Sequence, residues 1–151
     1  MEEMIQAYET LMNGFTDVLE EMVDDGKIST LSIMGASVGT PEFPFLEANC
    51  EEPWICIEDT GLSETWEGDV ILSSQVLNNQ NPNEGIHKAT SLISEVKNKI
   101  IKSRRLKDIG LDYIKSKDFG WVPYALGKQK NIYSAGVTFT IRFKIINPGC
   151  K

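Results

Sequence analysis

His87 is the only imidazole in the chain, and Cys50, Cys56 and Cys150 are its only thiols. An imidazole near neutral pH can act as a general base, provided that a nucleophile lies within hydrogen-bond reach and a third group orients the ring. The stretch around it, Gly85-Ile86-His87-Lys88, supplies neither. The cysteines are odd in number and lack CxxC spacing, and one histidine is too little to complete a tetrahedral zinc site with them. They read as reduced structural thiols. Cys56, inside Trp54-Ile55-Cys56-Ile57, is expected to be a small core residue.

Carboxylates are the remaining source of chemistry. Glu47, Glu51, Glu52, Glu58, Asp59, Glu64, Glu67 and Asp69 crowd the stretch 47–69 and are the right class of ligand for a hard cation. Calcium loops, however, space their oxygens in a fixed register around a turn glycine, and that register is missing here. The acids are expected to form a solvated face. Trp54 and Trp66 flank a turn and are expected to stack across a hairpin, with a sugar or base platform as the alternative. The phosphate-binding glycine motifs and HExxH are absent. No catalytic residue, cofactor site or metal site is therefore assigned, and the chain is read as a non-enzyme.

The elements that carry these residues form one expected domain over 1–151, of ordinary globular composition, 41% hydrophobic and 25% charged. No apolar run reaches the roughly 20 residues that cross a bilayer, and the acidic start is not a signal peptide, so no membrane partner and a cytoplasmic site of synthesis are expected. The net charge of -7 conceals a division. Residues 1–75 hold 17 acids against Lys27 alone, whereas 76–151 hold 5 acids and 14 bases. Such a split implies electrostatic pairing, either between packed elements of one domain or between neighbouring copies. The basic half lacks interleaved aromatic binding motifs, so no specific nucleic-acid partner is expected.

Residues 2–24 place Ile5, Tyr8, Leu11, Met12, Phe15, Val18, Leu19, Met22 and Val23 on one helical face, and Asp25-Gly26 ends that helix. Short strands are expected over 27–34 and 45–48, with a Gly/Pro-punctuated loop at 35–44 between them. A nearly apolar strand follows over 53–59, then a turn at 60–63 and a longer strand over 66–77. A polar loop offers Asn81 or Asn83 as the cap of a second helix over 84–104. Ile86, Ala89, Leu92, Ile93, Val96, Ile100 and Ile101 form its apolar stripe, and lysines and arginines gather at its end. A strand over 109–115 is expected to pair with the last one. Residues 120–133 fit either a strand or a loop.

The last strand, 134–146, is the plainest. Val137, Phe139, Ile141, Phe143 and Ile145 alternate with Thr138, Thr140, Arg142 and Lys144. The first set must cover a core. The second set is the candidate surface for contact with another subunit or partner, a plain solvated sheet face being the alternative. Helix, strands, helix and strands with short connections give an α+β two-layer sandwich, a mostly antiparallel sheet with two main helices packed on one face.

This order, an acidic helix, the strand Pro53-Trp54-Ile55-Cys56-Ile57-Glu58, the strand Asp69-Val70-Ile71-Leu72-Ser73-Ser74-Gln75-Val76, the helix Ile86-x-x-Ala89-x-x-Leu92-Ile93-x-x-Val96 and the strand Gly136-Val137-Thr138-Phe139-Thr140-Ile141-Arg142-Phe143, resembles the tail terminator (tail-completion) proteins of long-tailed bacteriophages. The resemblance spans residues 2–146 and rests on element order and hydrophobic pattern. It implies a virion protein at the head–tail junction, forming a hexameric ring that caps the tail tube, stops its elongation and offers a surface to the neck of the filled head. Its partners would be further copies of itself, the tail tube protein and a head-completion or neck protein. The other readings are a different neck or connector component, and a small cytoplasmic ligand-binding or regulatory α+β module.

Overall fold

A computed structural model of the chain describes residues 2–33, 42–50, 54–78, 81–108, 111–122 and 131–146. The elements run α1 (Glu2–Asp24), β1 (Thr30–Ile33), β2 (Phe45–Asn49), β3 (Ile55–Asp59), β4 (Ser63–Leu77), α2 (Pro82–Lys102), α3 (Arg104–Asp108), β5 (Leu111–Trp121) and β6 (Ile132–Ile146). The fold is α+β, with six strands in one mixed sheet. Its order is β1-β2-β4-β6-β5, and β3 also pairs with β4. The β1–β2 pair is parallel and the other pairs are antiparallel.

β4 and β6 form the spine. They pair along their whole length, from Ser63 opposite Ile146 to Leu77 opposite Ile132. On the other edge of β4, β2 takes the Ile71–Gln75 part and β3 takes the Glu64–Glu67 part. The alternation of β6 sets which face is buried: Val137, Phe139, Ile141, Phe143 and Ile145 enter the core together with Val70, Leu72 and Val76 of β4. From α1 this core receives Leu11, Phe15, Val18, Leu19 and Met22, and from α2 Ala89, Leu92, Ile93, Val96 and Ile100. Both long helices therefore cover one face, as the spacing of their apolar residues requires. The side chains of Ile5 and Tyr8, at the start of the α1 stripe, lie outside the described residues.

Local chemistry fixes the element ends. α1 stops where Gly26, at φ 78°, takes the left-handed conformation and its N–H bonds the Val23 carbonyl at 3.0 Å. α2 starts at Asn81, whose side-chain oxygen accepts the Glu84 N–H at 2.8 Å, with Pro82 in the first turn. That decides between Asn81 and Asn83. Ser103 interrupts the expected long helix, so Arg104–Asp108 forms the separate α3. β4 begins at Ser63, where Asp59 Oδ1 accepts the Gly61 N–H at 2.9 Å to shape the turn from β3.

Two glycines are needed for packing. A Cβ on Gly68 would lie 2.2 Å from the Trp54 ring, and one on Gly85 would lie 2.1 Å from the Tyr133 ring. At the first, Trp54 covers β4 and meets Phe143, ring centroids 5.3 Å apart and tilted by 53°. The expected Trp54–Trp66 stack is thus not formed across the β3–β4 hairpin. Trp66 stands opposite Cys56, and the partner of Trp54 comes from β6. At the second, the bare Gly85 backbone lets α2 approach β6. Ser74 then ties the two layers, its hydroxyl donating to the Ala89 carbonyl at 2.9 Å.

The largest departure from the sequence reading is β3. Every residue from Ile55 to Asp59 is exposed, Cys56 included, so Cys56 is not a core thiol. Among the described residues β3 pairs with β4 alone and no helix buries it. β5 continues well past the expected 115, to Trp121, and β6 begins at Ile132. The undecided stretch 120–133 therefore has strand at both ends, with 123–130 outside the described residues. Also outside them are Glu51, Glu52, Pro53, Ile109, Cys150, most of the 35–44 loop, and the side chains of Leu111 and Tyr113.

Candidate assembly surface

The face of the sheet turned away from the helices carries the residues singled out on β6. Thr138, Thr140 and Arg142 are half-buried there and Lys144 is exposed. Strand register sets a neighbour beside each: Ile71, Asp69, Glu67 and Thr65 of β4, in that order. On the far side, β5 brings Lys117 opposite Thr138 and Lys115 opposite Thr140.

This register joins acids of the first half of the chain to bases of the second. Arg142 Nε lies 2.6 Å from Glu67 Oε2. The Thr140 hydroxyl donates to Asp69 Oδ1 at 2.9 Å, and Lys117 Nζ approaches Asp69 Oδ2 at 2.8 Å. The bond to Asp69 and its charge hold the Lys117 ammonium above its ordinary value. The same pattern recurs on the helical side, where Lys99 meets Glu21 at 2.9 Å and Arg105 meets Asp17. Lys99 correspondingly lowers the Glu21 carboxyl below its ordinary value. Lys27, the one base of the first half, bonds Glu95 at 2.9 Å, which raises its own pKa. Part of the charge division thus resolves as pairing within the chain.

The four candidate contact residues are therefore brought together on one face, but they are unequal. Thr140 and Arg142 are held by Asp69 and Glu67. Lys144 carries no ion pair with a described residue and projects freely. Sequence reasoning placed Glu67 and Asp69 in a solvated acidic face and missed their part in this surface. The signal was there: Glu67, Asp69, Ile71, Ser73 and Gln75 alternate with the buried residues of β4, as Thr138 to Lys144 do on β6.

Among the described residues no group of three or more His, Cys, Asp or Glu side chains converges as metal ligands. His87 is exposed on α2, in the opposite layer, and lines an open groove of about 810 Å³ with Lys27, Phe43, Val76, Leu92 and Glu95. No helix among the described residues is long and apolar enough to cross a membrane. No protein-family model matches the chain, and no curated protein sequence matches it.

Proposed function

We propose that the chain is a structural assembly protein of the tail-terminator kind: one copy in a ring that caps a phage tail tube, ends its growth and receives the neck of the filled head. The observation that carries this reading is the uncovered sheet face. Thr140, Arg142 and Lys117 on it are held by cross-strand bonds to Asp69 and Glu67, so it offers an ordered, patterned surface. Such a surface suits repeated contact with other proteins, and a closed ring multiplies each contact by the number of copies. The mechanism is geometric, with one side of the ring matching the last layer of the tube and the other matching the neck.

Immunogold electron microscopy of the virions that carry this protein tests the reading. Label is expected at the top of the tail, and tails made without the protein are expected to run past their normal length. Label elsewhere, or normal tails in its absence, overturns the proposal, the former favouring a different neck or connector component. A second reading, a ligand-binding module, draws on the groove beside His87. A thermal-shift screen with small metabolites checks it, a rise of several degrees with one compound being its signature.

A further inference from the structure

Apart from Leu77 at the end of β4, the large exposed apolar side chains among the described residues fall in two groups on opposite sides of the sheet. On one side Ile55 and Ile57 of β3 lie beside Leu62 at the hairpin turn, with Ile146 opposite Ser63 at the same end. On the other side β5 exposes Phe119 and Trp121. Ile55 and Trp121 are each more than half exposed, at 55% and 52%. Scattered apolar residues on a surface need no explanation, but clusters of them mark contact sites. Each cluster sits on a strand paired on one edge alone among the described residues: β3 with β4, and β5 with β6. Both strands therefore also present unpaired backbone donors and acceptors.

Charge distinguishes the two edges. Beside its apolar residues β3 carries Glu58 and Asp59, exposed and without an ion pair to a described residue. At the β5 edge Lys115 and Lys117 are exposed, and Lys97 stands 5.1 Å from the centre of the Phe119 ring, three bases against the two acids of the strand, Asp112 and Asp118. Two β3 edges would repel each other, and so would two β5 edges. A β3 edge and a β5 edge attract. Direction agrees as well. β3 opposes β4, which opposes β6, which opposes β5, so β5 and β3 run antiparallel when copies stand side by side in one orientation.

We infer that the β3 edge of one copy docks on the β5 edge of the next, in a head-to-tail contact that extends the sheet from subunit to subunit. The occupant of the exposed β3 hairpin is thus a second copy of this chain. The contact is heterologous, with different surfaces on its two sides, and it repeats without limit unless the rotation closes. The inference deepens the ring reading and rests on it only for closure.

Cysteine cross-linking tests it on the full chain. In a Cys50→Ser, Cys150→Ser background, Lys115→Cys is combined with the native Cys56 and treated with a short bismaleimide. Adjacent strands lie about 4.8 Å apart, well within its reach. The expected product is a ladder of dimers, trimers and higher species, lost on Cys56→Ser and absent without Lys115→Cys. Dimers alone, linked through Cys56 to Cys56, or no cross-link at concentrations up to the solubility limit, overturn the inference. A parallel arm uses sedimentation of charge variants of the wild-type chain. Glu58→Lys with Asp59→Lys is expected to weaken self-association by about tenfold or more, and adding Lys97→Glu with Lys115→Glu to restore it. Assembly unchanged by these reversals defeats the edge contact while leaving a ring built through another surface intact.

Discussion

Arg142 of β6 stands directly opposite Glu67 of β4, with its Nε 2.6 Å from a carboxylate oxygen. The pair crosses the middle of the open face and is only partly exposed. Arg142→Glu places two carboxylates in register and is expected to lower stability by about 1 kcal/mol. Glu67→Arg in the same chain is expected to return most of it. Urea unfolding of the two single variants and the double variant checks this, and equal losses that simply add would contradict the pairing. Lys144→Glu, at a free and exposed position, is expected to shift stability by less than about 0.5 kcal/mol. It therefore reports on partner contact with little folding cost.

The contact between Gly68 and Trp54 gives a sharper test of packing. Gly68→Ala drives a methyl into the indole and is expected to cost roughly 1–3 kcal/mol while pushing Trp54 away from Phe143. Trp54→Ala removes the obstacle, so in that background Gly68→Ala is expected to be nearly neutral or mildly stabilising. Thermal unfolding of the four species of the cycle decides it. An unchanged cost in the Trp54→Ala chain would show that the clash lies elsewhere.

Phe139 is fully buried at the centre of β6. Phe139→Ala is expected to cost about 3–5 kcal/mol and Phe139→Asp to abolish the fold, since a carboxylate there has neither water nor a partner. Circular dichroism of the purified variants is the measurement. A folded Phe139→Asp chain melting like the wild type would contradict the assignment of this face to the core.

The ion pairs predict two limbs in the pH dependence of stability. The Glu21 carboxyl is lowered by Lys99, so its contribution is complete above the ordinary carboxylate value of 4.5 and fades as pH falls through the lower, folded value. Lys27 and Lys117 are raised by Glu95 and Asp69, so theirs are complete below 10.5 and fade as pH rises through the higher, folded values. All three groups face water, so both limbs are expected to be shallow and to shrink in high salt. Lys99→Met is expected to flatten the acid limb and spare the alkaline one. Melting curves across pH at two salt concentrations test this, and an unaltered acid limb in Lys99→Met would refute the assignment.

Periodic elements were legible in the sequence because their side chains report burial directly. The α1 stripe, the α2 stripe and the alternation of β6 each named the face that meets the core. β3 was misread for the same physical reason. Ile55-Cys56-Ile57 has the composition of a buried strand, but burial depends on whether a helix reaches it, and no local property encodes the length of the neighbouring layer. The surface on β6 was half legible. Alternation located Thr138, Thr140, Arg142 and Lys144, whereas the bonds of Thr140 to Asp69 and of Arg142 to Glu67 depend on a register spanning some seventy residues. Net charge by halves hinted at such pairing without saying which residues meet.

The long β4–β6 pairing has a consequence for the order in which the protein takes shape on the ribosome. When β4 has been made, the chain carries 17 acids and a single base, and the strand that must lie along its centre is still to be translated. Mutual repulsion among those carboxylates opposes compaction of that half. The bases that pair with it come from α2, α3 and β5 before β6, but the apolar face that gathers both helices arrives only with β6. Completion of the core therefore waits for β6, and a chain cut short before it lacks the strand that pairs with β4 along its whole length.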